Sequence, residues 1–210
     1  MKHAVLAALF CLPLLAQAEG AAHAPSIKGD AAAGATKAAV CTACHGPGGA
    51  SANPEWPKLA GQSPRYMVEQ LKAFKSGARK NVLMSAQGAA LSDQDMADLA
   101  AHYAAQKPSY GVASKDSIAI AEKLYRAGDA ARGLPACSAC HGPAGAGNAA
   151  AGYARLGGQH ATYNTAALNR LRAAAAEPLA DGNVKIMASI ASKLTDQEIA
   201  ALASYVSGLQ

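Results

Sequence analysis

Cys41-Thr42-Ala43-Cys44-His45 returns 96 residues later as Cys137-Ser138-Ala139-Cys140-His141. Two thiols separated by two residues can each form a thioether with a haem vinyl group, and the imidazole that follows can reach the iron. A bare C-x-x-C would equally serve a dithiol redox pair, half of a zinc site or a disulfide framework. None of those uses requires a histidine directly after the second cysteine, whereas haem attachment does. The sequence therefore predicts two covalently held c-type haems. Cys41, Cys44, Cys137 and Cys140 are the attachment points, with His45 and His141 as proximal iron ligands.

Upstream, Lys2 and His3 precede an apolar run from Ala4 to Leu15, and Ala16-Gln17-Ala18 is a small-x-small cleavage site. Residues 1–18 read as a secretory signal peptide, too short to span a bilayer, which in a bacterium directs the chain to the periplasm. Cys11 lies inside that segment and would leave with it, so the mature chain would keep only the four haem-type cysteines. The 210-residue chain has 19 Lys and Arg against 14 Asp and Glu. Haem propionates would offset most of this excess, and no long basic run points to nucleic acid. Lys72, Lys75, Arg79 and Lys80 form the one local cluster. On a helix, Lys72, Lys75 and Arg79 would share a basic stripe, either a solvated face or a docking patch for an acidic partner.

The duplication extends beyond the cysteines. Leu59-Ala60-Gly61-Gln62 matches Leu156-Gly157-Gly158-Gln159, and Tyr66 and Leu71 match Tyr163 and Leu168, at an offset of 97. Further on the offset is 103, pairing Met84 with Met187, Leu91 with Leu194, Asp93 with Asp196 and Leu99 with Leu202. The extra residues fit the turn-like stretch Glu177 to Asn183. Two tandem modules follow, with boundaries at 19–107 and 113–210 and a linker at 108–112, beside Pro108 and Gly111.

Both modules read as helical. Alanine-rich stretches favour helix, and no alternating β-branched run appears. Thr195 with Glu198, and Ser92 with Asp95, have the spacing of capping boxes. They open helices that present Ile199, Leu202, Ala203 and Val206 in one module, and Met96, Leu99, Ala100 and Tyr103 in the other. Earlier helices are expected over Arg65 to Ser76 and Thr162 to Ala175. The fold class is all-α: two tandem helical domains, each wrapped around a haem that supplies much of its apolar core.

The second axial ligand separates a carrier from an enzyme, because an iron with one protein ligand keeps a position open for substrate. Met84 and Met187 are the methionines that correspond in the repeat, and each is expected on a loop crossing the distal face. Met96 pairs with Ile199 on an apolar helix face and reads as core, while Met67 pairs with Asn164. Among the remaining histidines, His102 should face solvent, His160 corresponds to Ser63, and His23 falls near the mature N-terminus. None of these has a repeated position.

On these residues the chain resembles the dihaem cytochromes c4 of bacteria. The resemblance covers essentially the whole mature chain. It is carried by both C-x-x-C-H motifs, Pro57-Lys58-Leu59-Ala60-Gly61-Gln62, Arg65-Tyr66-Met67-Val68-Glu69-Gln70-Leu71, and the segments ending in Met84 and Met187. It implies two cytochrome c domains about a pseudo-twofold axis with their propionate edges facing each other. It also implies a monomeric, non-enzymatic carrier, loosely attached to the inner membrane, that takes electrons from a quinol-oxidising bc1-type reductase (quinol-cytochrome c reductase) to a terminal oxidase. Gln62, Tyr66, Gln159 and Tyr163 would bond propionates, brace the domain boundary or simply pack. Alternatives are the dihaem subunit of a larger oxidoreductase such as flavocytochrome c sulfide dehydrogenase, a dihaem peroxidase, or a gas sensor. Paired methionines disfavour the peroxidase. One departure from the family stands out: a proline carbonyl typically accepts the proximal histidine Nδ1–H bond, and Pro57 fits, but its counterpart is Ala154. That difference predicts inequivalent haems.

Overall fold

The computed structural model describes residues 27–176 and 182–210. The expected signal peptide, His23 and residues 177–181 of the expected turn lie outside them. The first half contains α1 (Ala31–Lys37), α2 (Ala39–His45), α3 (Pro64–Ser76), α4 (Val82–Ala90) and α5 (Asp93–Ala104). The second contains α6 (Lys115–Ala127), α7 (Cys137–His141), α8 (Ala161–Ala174), α9 (Asn183–Ala191) and α10 (Asp196–Ser207). The described residues are helical and carry no strand.

Local chemistry explains where these helices start and stop. The Ser92 and Thr195 hydroxyls accept from the backbone N–H of Asp95 and Glu198, whose carboxylates reach back to the cap N–H, so both predicted capping boxes are present. Such caps satisfy amide donors that the first helical turn leaves free. Ser63 caps α3 by accepting from Tyr66 N–H, and Pro64 occupies the first helical position, where its missing N–H costs nothing. Gly77, at φ 79°, ends α3 in the left-handed conformation that glycine adopts without Cβ strain.

That early stop corrects the expected basic stripe. Arg79 lies beyond the end of α3 and turns toward the second half instead of continuing a helical face. Lys72 pairs with Asp93 at 3.0 Å, and Lys75 donates to the Leu91 carbonyl.

The two halves pack alike. α1 and α3 lie on α5, and α4 on α3; correspondingly α6 and α8 lie on α10, and α9 on α8. The buried clusters do not overlap. One joins Ala38, Met67, Leu99, Ala100 and Tyr103, and the other is built on Tyr125, Leu134, Ile199, Leu202, Tyr205 and Val206. Cys41 packs against the first cluster and Cys137 against the second, so one cysteine of each motif touches its domain's core. Met96 is fully buried, as its apolar register predicts. At the α1–α5 crossing, a Cβ on Gly34 would come within 2.0 Å of the Asp98 carbonyl oxygen, so only glycine permits this approach.

Candidate haem sites

In each half the C-x-x-C-H motif is a short helix, α2 or α7, closed by a positive-φ glycine, Gly46 or Gly142. Helical spacing gives this motif its chemistry. Residues three and four apart share a face, so Cys41, Cys44 and His45 project to one side, as do Cys137, Cys140 and His141. Cys41 and Cys137 are half-buried, and Cys44 and Cys140 are exposed. Among the described residues no group of three or more His, Cys, Asp or Glu side chains is arranged to hold a metal ion by itself.

Both proximal rings are oriented identically. His45 Nδ1 lies 2.8 Å from the Pro57 carbonyl oxygen, and His141 Nδ1 lies 2.8 Å from that of Ala154. A carbonyl can only accept, so Nδ1 carries the proton and Nε2 presents its lone pair, the tautomer that a metal-ligating imidazole needs. Burial depresses both imidazoles below the ordinary histidine value, which keeps the rings neutral. The alanine at position 154 thus keeps the bond that proline makes in the first domain.

The methionines differ from expectation in their backbone. Met84 and Met187 sit not on loops but in α4 and α9, both half-buried. Asn81 starts α4 by accepting from Met84 N–H at 2.9 Å, and an asparagine in this position is the sequence signal for a helix there. Asn183, at the start of α9, donates to the Ala151 carbonyl at 3.0 Å and ties that helix to the loop after His141. α2 is packed on α1 and α4 on α3, so the histidine helix and the methionine helix are held by different parts of the domain. In the second domain a cavity of about 540 Å³ opens between Gly133 and Pro135, ahead of Cys137, and Ile186 and Ile190 on α9, with Lys193 just beyond that helix; neither His141 nor Met187 lines it. Paired cysteines followed by a neutral imidazole with Nε2 free, repeated in both domains, are what covalent haem attachment with a proximal histidine requires.

The other candidate histidines are engaged elsewhere. His160 Nε2 lies 2.8 Å from the Ser51 carbonyl oxygen in the other domain, and His102 is half-buried edge-on against Tyr103. His102 therefore does not point freely into solvent as expected. Gln62 and Gln159 brace the domain boundary, each bonding backbone groups of the opposite domain. Tyr163 accepts from Arg79 across the same boundary at 3.0 Å, with Tyr66 alongside. Arg79, expected on the basic stripe, is instead a boundary residue. Its guanidinium also bonds Gln70 at 2.7 Å and lies 4.4 Å above the Phe74 ring.

Comparison with known proteins agrees with this geometry. The family model "Cytochrome c" matches residues 31–104 and again 118–210. Cytochrome c4 of Pseudomonas aeruginosa is 50% identical over 190 residues, covering 90% of this chain and 92% of that protein. The crystal structure of reduced recombinant cytochrome c4 from Pseudomonas stutzeri superimposes with a TM-score of 0.81 at 44% identity, covering 87% of this chain and all of that one. A thiosulfate dehydrogenase electron acceptor of Thiomonas intermedia is 36% identical over 182 residues, covering 83% of this chain and 81% of that protein.

Proposed function

Because this chain belongs to the cytochrome c4 family of dihaem electron-transfer cytochromes, we propose that it shuttles single electrons in the periplasm from a bc1-type quinol-cytochrome c reductase to a terminal oxidase. Family membership brings two covalently bound haem c groups, and each supplies a one-electron couple at its iron. Cys41 and Cys44 hold one porphyrin, Cys137 and Cys140 the other. His45 and His141 ligate from the proximal side, Met84 and Met187 from the distal side. The matched 2.8 Å bonds from His45 and His141 to backbone carbonyls carry the reading most directly. They fix in both domains the imidazole orientation that leaves Nε2 for iron. With both axial positions filled by protein atoms, no site remains for a substrate, and only electrons exchange.

Residues 1–18 act as the export signal, and 19–107 and 113–210 fold as the two haem domains joined by 108–112. No helix among the described residues is long and apolar enough to cross a membrane, so association with the inner membrane would be peripheral. Rapid oxidation of the reduced holoprotein by a purified terminal oxidase, with no carbon monoxide binding at neutral pH, is the expected result. Carbon monoxide binding, or peroxide turnover by the half-reduced protein, would overturn it by revealing an open iron.

The relative named as an electron acceptor of thiosulfate dehydrogenase favours a second reading, in which the chain serves a larger oxidoreductase. Copurification with a dehydrogenase partner would select that reading.

A further inference from the structure

Two buried glutamines cross the domain boundary in mirror fashion. Gln62 Oε1 accepts from Arg155 N–H at 2.7 Å, and its Nε2 donates to the Arg155 carbonyl at 3.0 Å. Gln159 Oε1 accepts from Lys58 N–H at 2.9 Å, and its Nε2 donates to the Lys58 carbonyl at 2.9 Å. Each Oε1 also accepts a bond from its own chain neighbour, Ser63 N–H at 2.8 Å or His160 N–H at 3.0 Å. The backbone partners dictate which way each amide points, because an N–H requires the oxygen and a carbonyl requires the NH2. Both residues are only 7% exposed.

Where these clasps close is informative. Lys58 N–H and the Pro57 carbonyl are the two ends of one planar peptide group, as are Arg155 N–H and the Ala154 carbonyl. Those carbonyls accept the Nδ1–H bonds of His45 and His141. The bonds therefore form two crossed relays. One runs from His45 through the Pro57–Lys58 peptide to Gln159 of the other domain, and the second from His141 through the Ala154–Arg155 peptide to Gln62.

We propose that Gln62 and Gln159 are positioning residues that set the reduction potential of the haem in the opposite domain. The proposal rests on His45 and His141 being iron ligands. Donation of the peptide N–H to glutamine polarises the amide and makes its carbonyl a stronger acceptor. A stronger acceptor draws on Nδ1–H, makes the imidazole a more basic ligand, and favours the ferric iron. Each domain thereby lowers its partner's potential, and the relay exists only while the two domains are docked.

The test uses the full holoprotein carrying Gln159→Leu or Gln62→Leu, with Gln159→Met and Gln62→Met as variants of matched length. Redox titration is followed with haem-methyl resonances assigned to each domain, and the histidine Nδ1–H resonances are recorded in the ferrous protein. Loss of Gln159 should favour reduction of the first-domain haem by roughly threefold, about 28 mV at 59 mV per decade for one electron. The His45 Nδ1–H resonance should move with it while the second haem stays put, and loss of Gln62 should produce the converse. Arg65→Ala removes a different cross-domain bond, to the Ala150 carbonyl, and should move neither haem. Shifts confined to the mutated domain, equal shifts in both haems, or no shift would overturn the proposal. A wild-type protein whose His45 and His141 rings show no haem-shifted resonances would instead overturn the ligation on which it rests.

Discussion

A histidine serving as an iron ligand must keep one nitrogen free of a proton and hold its ring still, and a single backbone carbonyl accomplishes both for His45 and for His141. Pro57 and Ala154 supply these carbonyls at the same 2.8 Å, yet they differ in stiffness. The pyrrolidine ring fixes the proline φ, whereas alanine leaves that torsion soft. Ala154→Pro should therefore shift the midpoint of the second-domain haem alone in a redox titration that resolves two one-electron waves. One unsplit wave, unchanged by the substitution, would contradict this. The cysteines and histidines were legible because their spacing is itself the chemistry. The glutamines were recognised as a repeated pair, but whether they reached propionates, backbone or neither depends on docking that one module's sequence does not encode.

Helix caps mark the elements most clearly. Ser92 and Thr195 announce α5 and α10 from sequence, and both capping boxes form. Ser92→Ala should lower stability by about 1 kcal/mol in denaturant unfolding while leaving the haem spectrum unchanged. The α1–α5 contact adds a charged anchor: Lys37 donates to Asp98 at 2.6 Å and pairs with Asp95 at 2.7 Å, although the Asp98 side chain is only 4% exposed. The Lys37 ammonium beside it, with N–H donors from Asp30 and Gln94, holds the Asp98 carboxyl down at about 2. Its folded value lies below its unfolded one, so the stabilisation is complete above roughly pH 4 and disappears as pH falls through about 2. Urea midpoints of Lys37→Met should fall less steeply over this interval than those of the parent protein, and parallel profiles would contradict the assignment. The repeat pairs Met84 with Met187 but carries no information on their backbone, which is helical in α4 and α9 and not the expected loop. The Asn81 cap and the Val82–Ala90 run are the local signals for the first of these helices. The Lys72–Arg79 stripe does not form because Gly77 ends the helix between Lys75 and Arg79.

The whole molecule is two small cores joined by polar contacts across their boundary. Tandem repetition made the two domains legible, and the equivalent packing of α1 to α5 and α6 to α10 agrees with it. The boundary's asymmetric members were not legible, because Arg79 and Arg170 have no arginine counterparts in the repeat. They gather around Tyr66, which burial, reinforced by the neighbouring Tyr163, pushes up to about 12. A raised tyrosine favours the folded state below its unfolded value near 10, and that contribution is lost as pH rises through about 12. Tyr66→Phe should therefore flatten the alkaline limb of stability against pH, and an unaltered limb would remove Tyr66 from the boundary's energetics.

If imidazole and thioether seal both irons, the sulfur-to-iron charge-transfer band of the ferric holoprotein, recorded with a haem count, reports it. Two haems per chain are predicted, with a band that halves in Met84→Ala and in Met187→Ala and vanishes in the double variant. A band of full intensity in the double variant would contradict the account.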